Sequence, residues 1–204
     1  MNDLPGRVAA QFRNPTGFAG RVAGRIMLVS NRKVNRFVVA QLQIDPDDRV
    51  LEIGFGPGGC ITMLAECVTG RGKVAGIDPS STMIALASSR NRRYLANGRV
   101  ELKPGTVSAI PYPNDEFDKV CSINNIYFWP SLADDLREIR RTMKSGGILA
   151  LAFRKEPRPN APREPPSLDP HKIECLLTEA CFGEIRIETC RIAPWTEACV
   201  LARK

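Results

Sequence analysis

Residues Val50-Leu51-Glu52-Ile53-Gly54-Phe55-Gly56-Pro57-Gly58 set an apolar run, one carboxylate and alternating glycines in direct succession. That order predicts a buried parallel strand turning tightly into a helix. Glycine takes positive φ at little steric cost and lets a ligand approach the backbone, and the helix start behind it offers unpaired N–H groups. The chemistry on offer is binding of a nucleotide-type cofactor. Gly54-x-Gly56-x-x-Gly59 also meets the dinucleotide pattern, so the turn alone leaves the cofactor open. Glu52 narrows the choice, because a carboxylate there repels a pyrophosphate and suits a ligand with an ammonium or a sulfonium. Pro57 pre-sets φ near the helix start. A second apolar strand, Val74-Ala75-Gly76-Ile77-Asp78, ends in an acid 24 residues after Gly54. That spacing suits a carboxylate gripping two ribose hydroxyls, and by itself it fits NAD as well. Bland alternatives stand beside both acids: Glu52 capping neighbouring backbone, and Asp78 capping the helix behind it.

These residues need a scaffold, and the chain supplies an alternating one. Strands are expected at 49–53, 73–77, 99–103, 118–124 and 148–153, with helices at 58–69, 80–96 and 131–144 between them. Asn97-Gly98 stops the second helix and Gly146-Gly147 the third. Six prolines interrupt residues 154–170, which read as a stiff loop. Asp169-Pro170 then opens a helix to about Cys181, and strands at 184–192 and 197–203 close an antiparallel hairpin through Ala193-Pro194-Trp195-Thr196. Ahead of this unit, Phe18, Val22, Ile26 and Val29, then Val34, Phe37, Val38 and Leu42, recur at helical spacing. They predict two amphipathic helices with apolar faces inward and basic faces outward, after an irregular start over residues 1–16. The expectation is α/β: a Rossmann-like, doubly wound, mostly parallel seven-stranded sheet with an antiparallel C-terminal strand. Residues 1–44 would form a basic helical cap and 45–204 one cofactor-binding unit.

Glu52, the Gly54-x-Gly56-x-Gly58 turn and Asp78-Pro79-Ser80-Ser81-Thr82-Met83 together resemble the class I S-adenosylmethionine-dependent methyltransferases of small-molecule type. The resemblance continues through Gly105-Thr106-Val107, Ile110-Pro111-Tyr112-Pro113, Asp115–Val120, and Leu136–Gly147 with the strand 148–153, and covers about Asp45 to the C-terminus. It implies S-adenosylmethionine as donor, held by Glu52, Gly54, Gly56 and Gly58, with Asp78 on the ribose. Met83, Thr106 and Val107 would flank the adenine, and Asn124 would end strand four facing the donor. Many relatives carry Asp-Ala where this chain has Thr106-Val107. An N-terminal helix folds over the donor in this family, so Asn31 and Asn35, four apart on one helical face, would reach the methionine carboxylate or the acceptor, or else stand as solvent-facing helix residues.

Just beyond strand four, Tyr127, Phe128 and Trp129 stand where open α/β sheets bind ligands. They would line an apolar acceptor pocket, Tyr127 foremost, or else pack the next helix onto the sheet. Displacement at an activated sulfonium asks mainly for positioning and desolvation, so no triad is required. Tyr127 and His171, the only histidine, are the catalytic candidates, His171 being equally readable as a structural or exposed helix-start residue. The expected activity is methylation of a small molecule at O, N or C. Rival readings are a phospholipid N-methyltransferase at the membrane surface, a non-catalytic protein retaining the fold, and an NAD-dependent oxidoreductase.

Composition bounds the remainder. The 204 residues suit one soluble domain, and no apolar run reaches membrane-spanning length. The N-terminus lacks a secretory pattern, so a cytoplasmic protein is expected. Seven cysteines with no C-x-x-C pair and a single histidine predict reduced, largely buried thiols and no metal. The net charge of +7 arises wholly between Leu4 and Ile44, which hold seven basic residues and no acid. Three readings fit that cap: a solvated outer face, attraction of an anionic small molecule, or weak contact with an anionic membrane surface. Nucleic acid is disfavoured, since no RNA-binding module accompanies the charge. Composition sets no oligomeric state.

Overall fold

In chain order the structure, a computed structural model describing residues 17–155, 168–192 and 195–204, begins with helices α1 (Gly17–Ser30) and α2 (Arg32–Leu42). Strand β1 (Arg49–Ile53) and helix α3 (Gly59–Cys67) follow, then β2 (Lys73–Asp78), α4 (Ser81–Arg90), α5 (Arg92–Ala96) and β3 (Val100–Pro104). β4 (Phe117–Ile123) leads through a short 3₁₀ turn, Ile126–Phe128, into α6 (Leu132–Thr142) and β5 (Met143–Arg154). Helix α7 (Pro170–Glu179), β6 (Gly183–Ile192) and β7 (Trp195–Arg203) complete the chain. The strands form one seven-stranded sheet in the order β3-β2-β1-β4-β5-β7-β6. β1 to β5 pair in parallel, while β7 runs antiparallel to both β5 and β6. The strand order reverses between β1 and β4, and that reversal opens a crevice at their carboxyl ends.

The central strands are buried on both faces, as continuous apolar runs in parallel sheets require. On one face Leu51, Ile77, Val120 and Leu149 pack with Leu136 and Ile139 of α6 and Ile173 and Leu177 of α7. On the other, Val50, Val74 and Cys121 pack with Val34, Val38 and Leu42 of α2 and with Ile61 and Leu64 of α3. Helix α2 also touches β4, β5, β6 and β7, so it is a layer of the core rather than an appendage.

Four details differ from the sequence reading. The two expected N-terminal helices form, but α1 turns its small residues inward: Gly20, Ala23 and Gly24 are buried while Val22, Ile26 and Val29 are exposed. Close approach to α4 dictates this, since a Cβ on Gly24 would come within 2.8 Å of Leu86 Cδ1. The helix expected over 80–96 breaks at Asn91, whose fully buried amide donates to Gly58 O (3.1 Å) and Ala87 O (3.0 Å) and accepts from Thr62 Oγ1 (2.7 Å). The helix expected to reach Lys144 stops at Thr142, and β5 starts at Met143, because the sheet captures this segment early: Met143 pairs with Phe117, and Glu116 N–H donates to Thr142 O. All seven cysteines are free, as expected, yet Cys175 and Cys181 are exposed. Residues 156–167 of the proline-rich stretch and the irregular start over residues 1–16 lie outside the described residues.

Gly58 locks α3 against α4. It sits at φ +77°, and an added Cβ would meet Ala87 Cβ at 2.7 Å and Ala87 Cα at 2.9 Å. Gly58→Ala is therefore expected to destabilise the fold by about 3 kcal/mol, through left-handed strain plus overpacking. Thermal unfolding should show a drop of roughly 6–12 °C for a domain of this size.

Candidate active site

The crevice at the switch point holds a cavity of about 340 Å³. Its floor is made by Ile53, Gly54 and Gly56 at the end of β1 and by Asp78 and Pro79 at the end of β2. Met83 of α4 and the turn Gly105-Thr106-Val107-Ser108 close one side; Ile123, Asn124 and Asn125 after β4 close the other. Phe128, Trp129 and Pro130 add an apolar wall, and Met27 of α1 covers it. Gly54, Gly56, Asp78, Met83, Thr106, Val107, Asn124, Phe128 and Trp129, each singled out in the sequence, thus come together around one space. Glu52, Gly58, Asn31, Asn35, Tyr127 and His171 do not line it.

The three glycines of the turn share left-handed backbone for three different reasons. Gly54 makes room for the Asn125 side chain, which a Cβ there would strike. Gly58 makes room for Ala87 and Asn91. Only Gly56, at φ +53°, has nothing within 4 Å along its missing Cβ and opens onto the cavity it lines.

Asp78 is fixed by backbone on both oxygens. Gly56 N–H donates to Oδ2 (2.8 Å) and Ser80 N–H to Oδ1 (2.9 Å). It does not cap α4: Ser80 does, accepting from Met83 N–H at 3.3 Å. Burial pushes the Asp78 carboxyl above its ordinary range, and the two N–H donors offset part of that rise. Glu52, 3% exposed, lies behind the lining on the α3 side. Burial and then the charge of Asp78 hold its carboxyl well above the usual carboxylate range, against one backbone hydrogen bond from Ile61. Its Oε2 has no hydrogen-bond partner among the described residues.

At the far end of the crevice Asn124, singled out in the sequence, meets an acid that sequence reasoning missed, Glu197. Asn124, at φ +56°, donates from Nδ2 to Asn31 Oδ1 at 3.5 Å and hydrogen-bonds Glu197. Glu197, 2% exposed at the start of β7, lies 3.7 Å from Arg154 Nε, its cross-strand neighbour. Burial raises the Glu197 carboxyl, with Arg154 and Asn124 pulling it back. Among the described residues, Asn124 Oδ1 and Glu197 Oε2 have no partner, like Glu52 Oε2. The only sequence signal for Glu197 was a lone acid in an otherwise apolar final strand.

Asn125, also missed, is the clamp of the site. Its Nδ2 donates to Ile53 O, while its Oδ1 accepts from Ser122 Oγ and from Trp129 Nε1 at 3.1 Å. It joins β1 to β4 and fixes the indole on the apolar wall. Tyr127 points away from the wall: its hydroxyl accepts from Arg154 N–H. Asn35 is buried over Gly59 and faces a separate groove between α2 and α3. His171 is exposed on α7, 3.1 Å from Glu174 Oε2. No cluster of three or more histidine, cysteine or acidic side chains suited to a metal exists among the described residues.

A buried carboxylate on the cavity floor, an open glycine turn and buried acceptors lacking donors together suit a polar ligand bearing positive charge. Residues 50–147 match the family model described as "Methyltransferase domain". The uncharacterized methyltransferase YdaC of Bacillus subtilis (strain 168) is 32% identical over 186 residues, covering 90% of this chain and 98% of that one. A 2-phytyl-1,4-naphtoquinone methyltransferase of Synechococcus elongatus is 28% identical, the match spanning 59% of this chain and about half (52%) of that protein. Among solved structures, an S-adenosylmethionine-dependent methyltransferase from Aquifex aeolicus shares the fold over 100% of both chains, at TM-score 0.70 and 18% identity. The chain belongs to the class I S-adenosylmethionine-dependent methyltransferase family.

Proposed function

We propose that the cavity binds S-adenosylmethionine and that the protein methylates an apolar small molecule held against Phe128, Trp129 and Pro130. The observation that carries this reading is Asp78: a buried carboxylate, aimed by two backbone N–H groups, on the floor of a cavity at the switch point. Bound there, S-adenosylmethionine supplies a methyl group on a positively charged sulfur. Asp78 would accept the ribose hydroxyls on its remaining lone pairs. Met83, Thr106 and Val107 would flank the adenine, and Gly56 would let the ligand backbone pass. Asn124 would offer an acceptor to the positive end of the donor, and Glu52, buried behind the lining, would act on that charge through the cavity floor rather than by contact. On the acceptor side, Met27, Phe128 and Trp129 would exclude water, which strengthens every charge interaction within. The quinone substrate named for the cyanobacterial relative is consistent with such a wall.

Asp78→Ala should lower affinity for S-adenosylmethionine by about 10- to 100-fold, the loss of hydrogen bonds to a charged group. Titration calorimetry measures it, and unchanged affinity would refute the ribose assignment. Gly56→Ala should cost only the left-handed strain of about 1–2 kcal/mol in stability yet lose most donor binding, the reverse of the pattern expected at Gly58.

Glu52 gives a pH signature. With its folded pKa raised, the folded state keeps the proton longer than the unfolded chain, so stability falls as pH climbs above the ordinary carboxyl range. Glu52→Gln is therefore expected to be more stable than the parent at pH 7–8, by about 1–3 kcal/mol. The gap should close towards pH 4, where both states of the parent carry the proton. Donor binding to the parent should release a proton, since a nearby cation favours ionised Glu52. Calorimetry in buffers of different ionisation enthalpy reads that release.

A further inference from the structure

Helix α1 carries an apolar stripe on its outer side. Val22, Ile26 and Val29, at i, i+4 and i+7, are 44%, 53% and 80% exposed, and they are the exposed large hydrophobic side chains among the described residues. A soluble helix ordinarily turns such a stripe inward, and here the inward side is already occupied by Gly20, Ala23, Gly24 and Met27. Arginines border the stripe. Arg21 and Arg25 share one flank of α1 with Leu28, and Leu28 faces a groove lined also by Arg32 and Arg36 of α2 and Arg90 of α4. The acid in that groove, Glu66, is paired with Arg93 at 3.4 Å. Neither α1 nor α2 contains an acidic residue.

We propose that α1 docks the protein on an anionic phospholipid bilayer, with Val22, Ile26 and Val29 entering the headgroup boundary and Arg21, Arg25 and the α2 arginines facing the phosphates. The pairing of an apolar stripe with a cationic flank matches an interfacial helix rather than a spanning one, and no helix among the described residues is long and apolar enough to cross a membrane. Charge selects this occupant over the others. A second copy packed stripe to stripe would bring like-charged arginines together. Residues 1–16 carry Arg7 and Arg13 against one acid, Asp3, and are no complement to a basic flank. Because Met27 reaches the cavity from the inner side of the same helix, docking would leave the acceptor wall about one helix diameter, ~10 Å, from the bilayer surface. Docking stands independently of the donor assignment.

The test is co-sedimentation of the full chain, without methyl donor, with vesicles of phosphatidylcholine alone and of phosphatidylcholine mixed with phosphatidylglycerol. Binding is expected to the mixed vesicles, to be weakened by salt, and to be feeble on phosphatidylcholine. The double variant Ile26→Glu/Val29→Glu should lower partitioning at least about tenfold. Arg21→Gln/Arg25→Gln should lower it about fivefold per arginine. Both variants replace outward side chains, so their melting temperatures and affinity for S-adenosylmethionine should match the parent. Failure of the parent to bind mixed vesicles, equal binding to both vesicle types, or insensitivity to both variants would overturn the proposal. So would a dimer in sedimentation velocity that Ile26→Glu/Val29→Glu dissolves while vesicle binding stays absent. Loss of donor binding in the parent would sink the reading of the cavity and leave the docking result standing.

Discussion

Along the carboxyl edge of the sheet, buried acceptors outnumber the donors that reach them. Asp78 is satisfied by two backbone N–H groups, but Glu52, Asn124 and Glu197 each keep one buried oxygen with no partner among the described residues. An unpaired buried acceptor costs about 1–3 kcal/mol, and a buried ionised carboxylate more unless it keeps its proton. All three carboxyls are held above their ordinary range by that burial. The arrangement is tolerable because two apolar layers grip the same strands: α2 and α3 on one face, α6 and α7 on the other. The fold thus carries a local instability at one end of its sheet, of the sign that a cationic ligand relieves.

Holding that edge together is chiefly the work of two asparagines. Asn125 ties the last carbonyl of β1 to Ser122 of β4 and to the Trp129 indole, so strand spacing at the switch point and the orientation of the apolar wall are one constraint. Asn91 ties Gly58 and Thr62 to the end of α4. It therefore fixes how the helix behind the glycine turn leans on its neighbour. A turn that looks like a ligand motif is in two of its three glycines a packing motif. The close approach of Asn125 and of α4 demands glycine at 54 and 58, and only Gly56 faces open space.

This division explains what could and could not be read from the residues alone. Strand periodicity placed all seven strands near their true positions, the central parallel ones most plainly because burial on both faces leaves apolar runs. The terminal hairpin followed from a short joint between two strand-like segments, the first of them alternating and largely exposed. Buried polar clamps leave no periodic trace: Asn91 fell inside an expected helix, Asn125 just beyond an expected strand, and Glu197 at the first position of the last expected strand. Their partners lie 33, 72 and 73 positions away in Gly58, Ile53 and Asn124. Helix α1 misled for the opposite reason. Its large apolar residues dominate any moment read from sequence, whereas the face that packs was selected for smallness by the proximity of α4.

The two N-terminal helices, alike in charge, consequently do different work. α2 buries Val34, Val38 and Leu42 in the core and is part of what holds β4, β5 and β7. α1 contributes little bulk to that core; it meets α4 through glycine and alanine and sends Met27 to the cavity. Large aliphatics retained on its outer side cost solubility without adding core packing, which is a poor use of Val22, Ile26 and Val29 unless something apolar meets them. Asn31, at the joint between the helices, hydrogen-bonds Asn124, and Asn124 in turn contacts Glu197 and lines the cavity. Movement of α1 would therefore reach Asn124 on the cavity wall through the Asn31 hydrogen bond, so the outer surface of the helix and the cavity beneath it are joined by one short path.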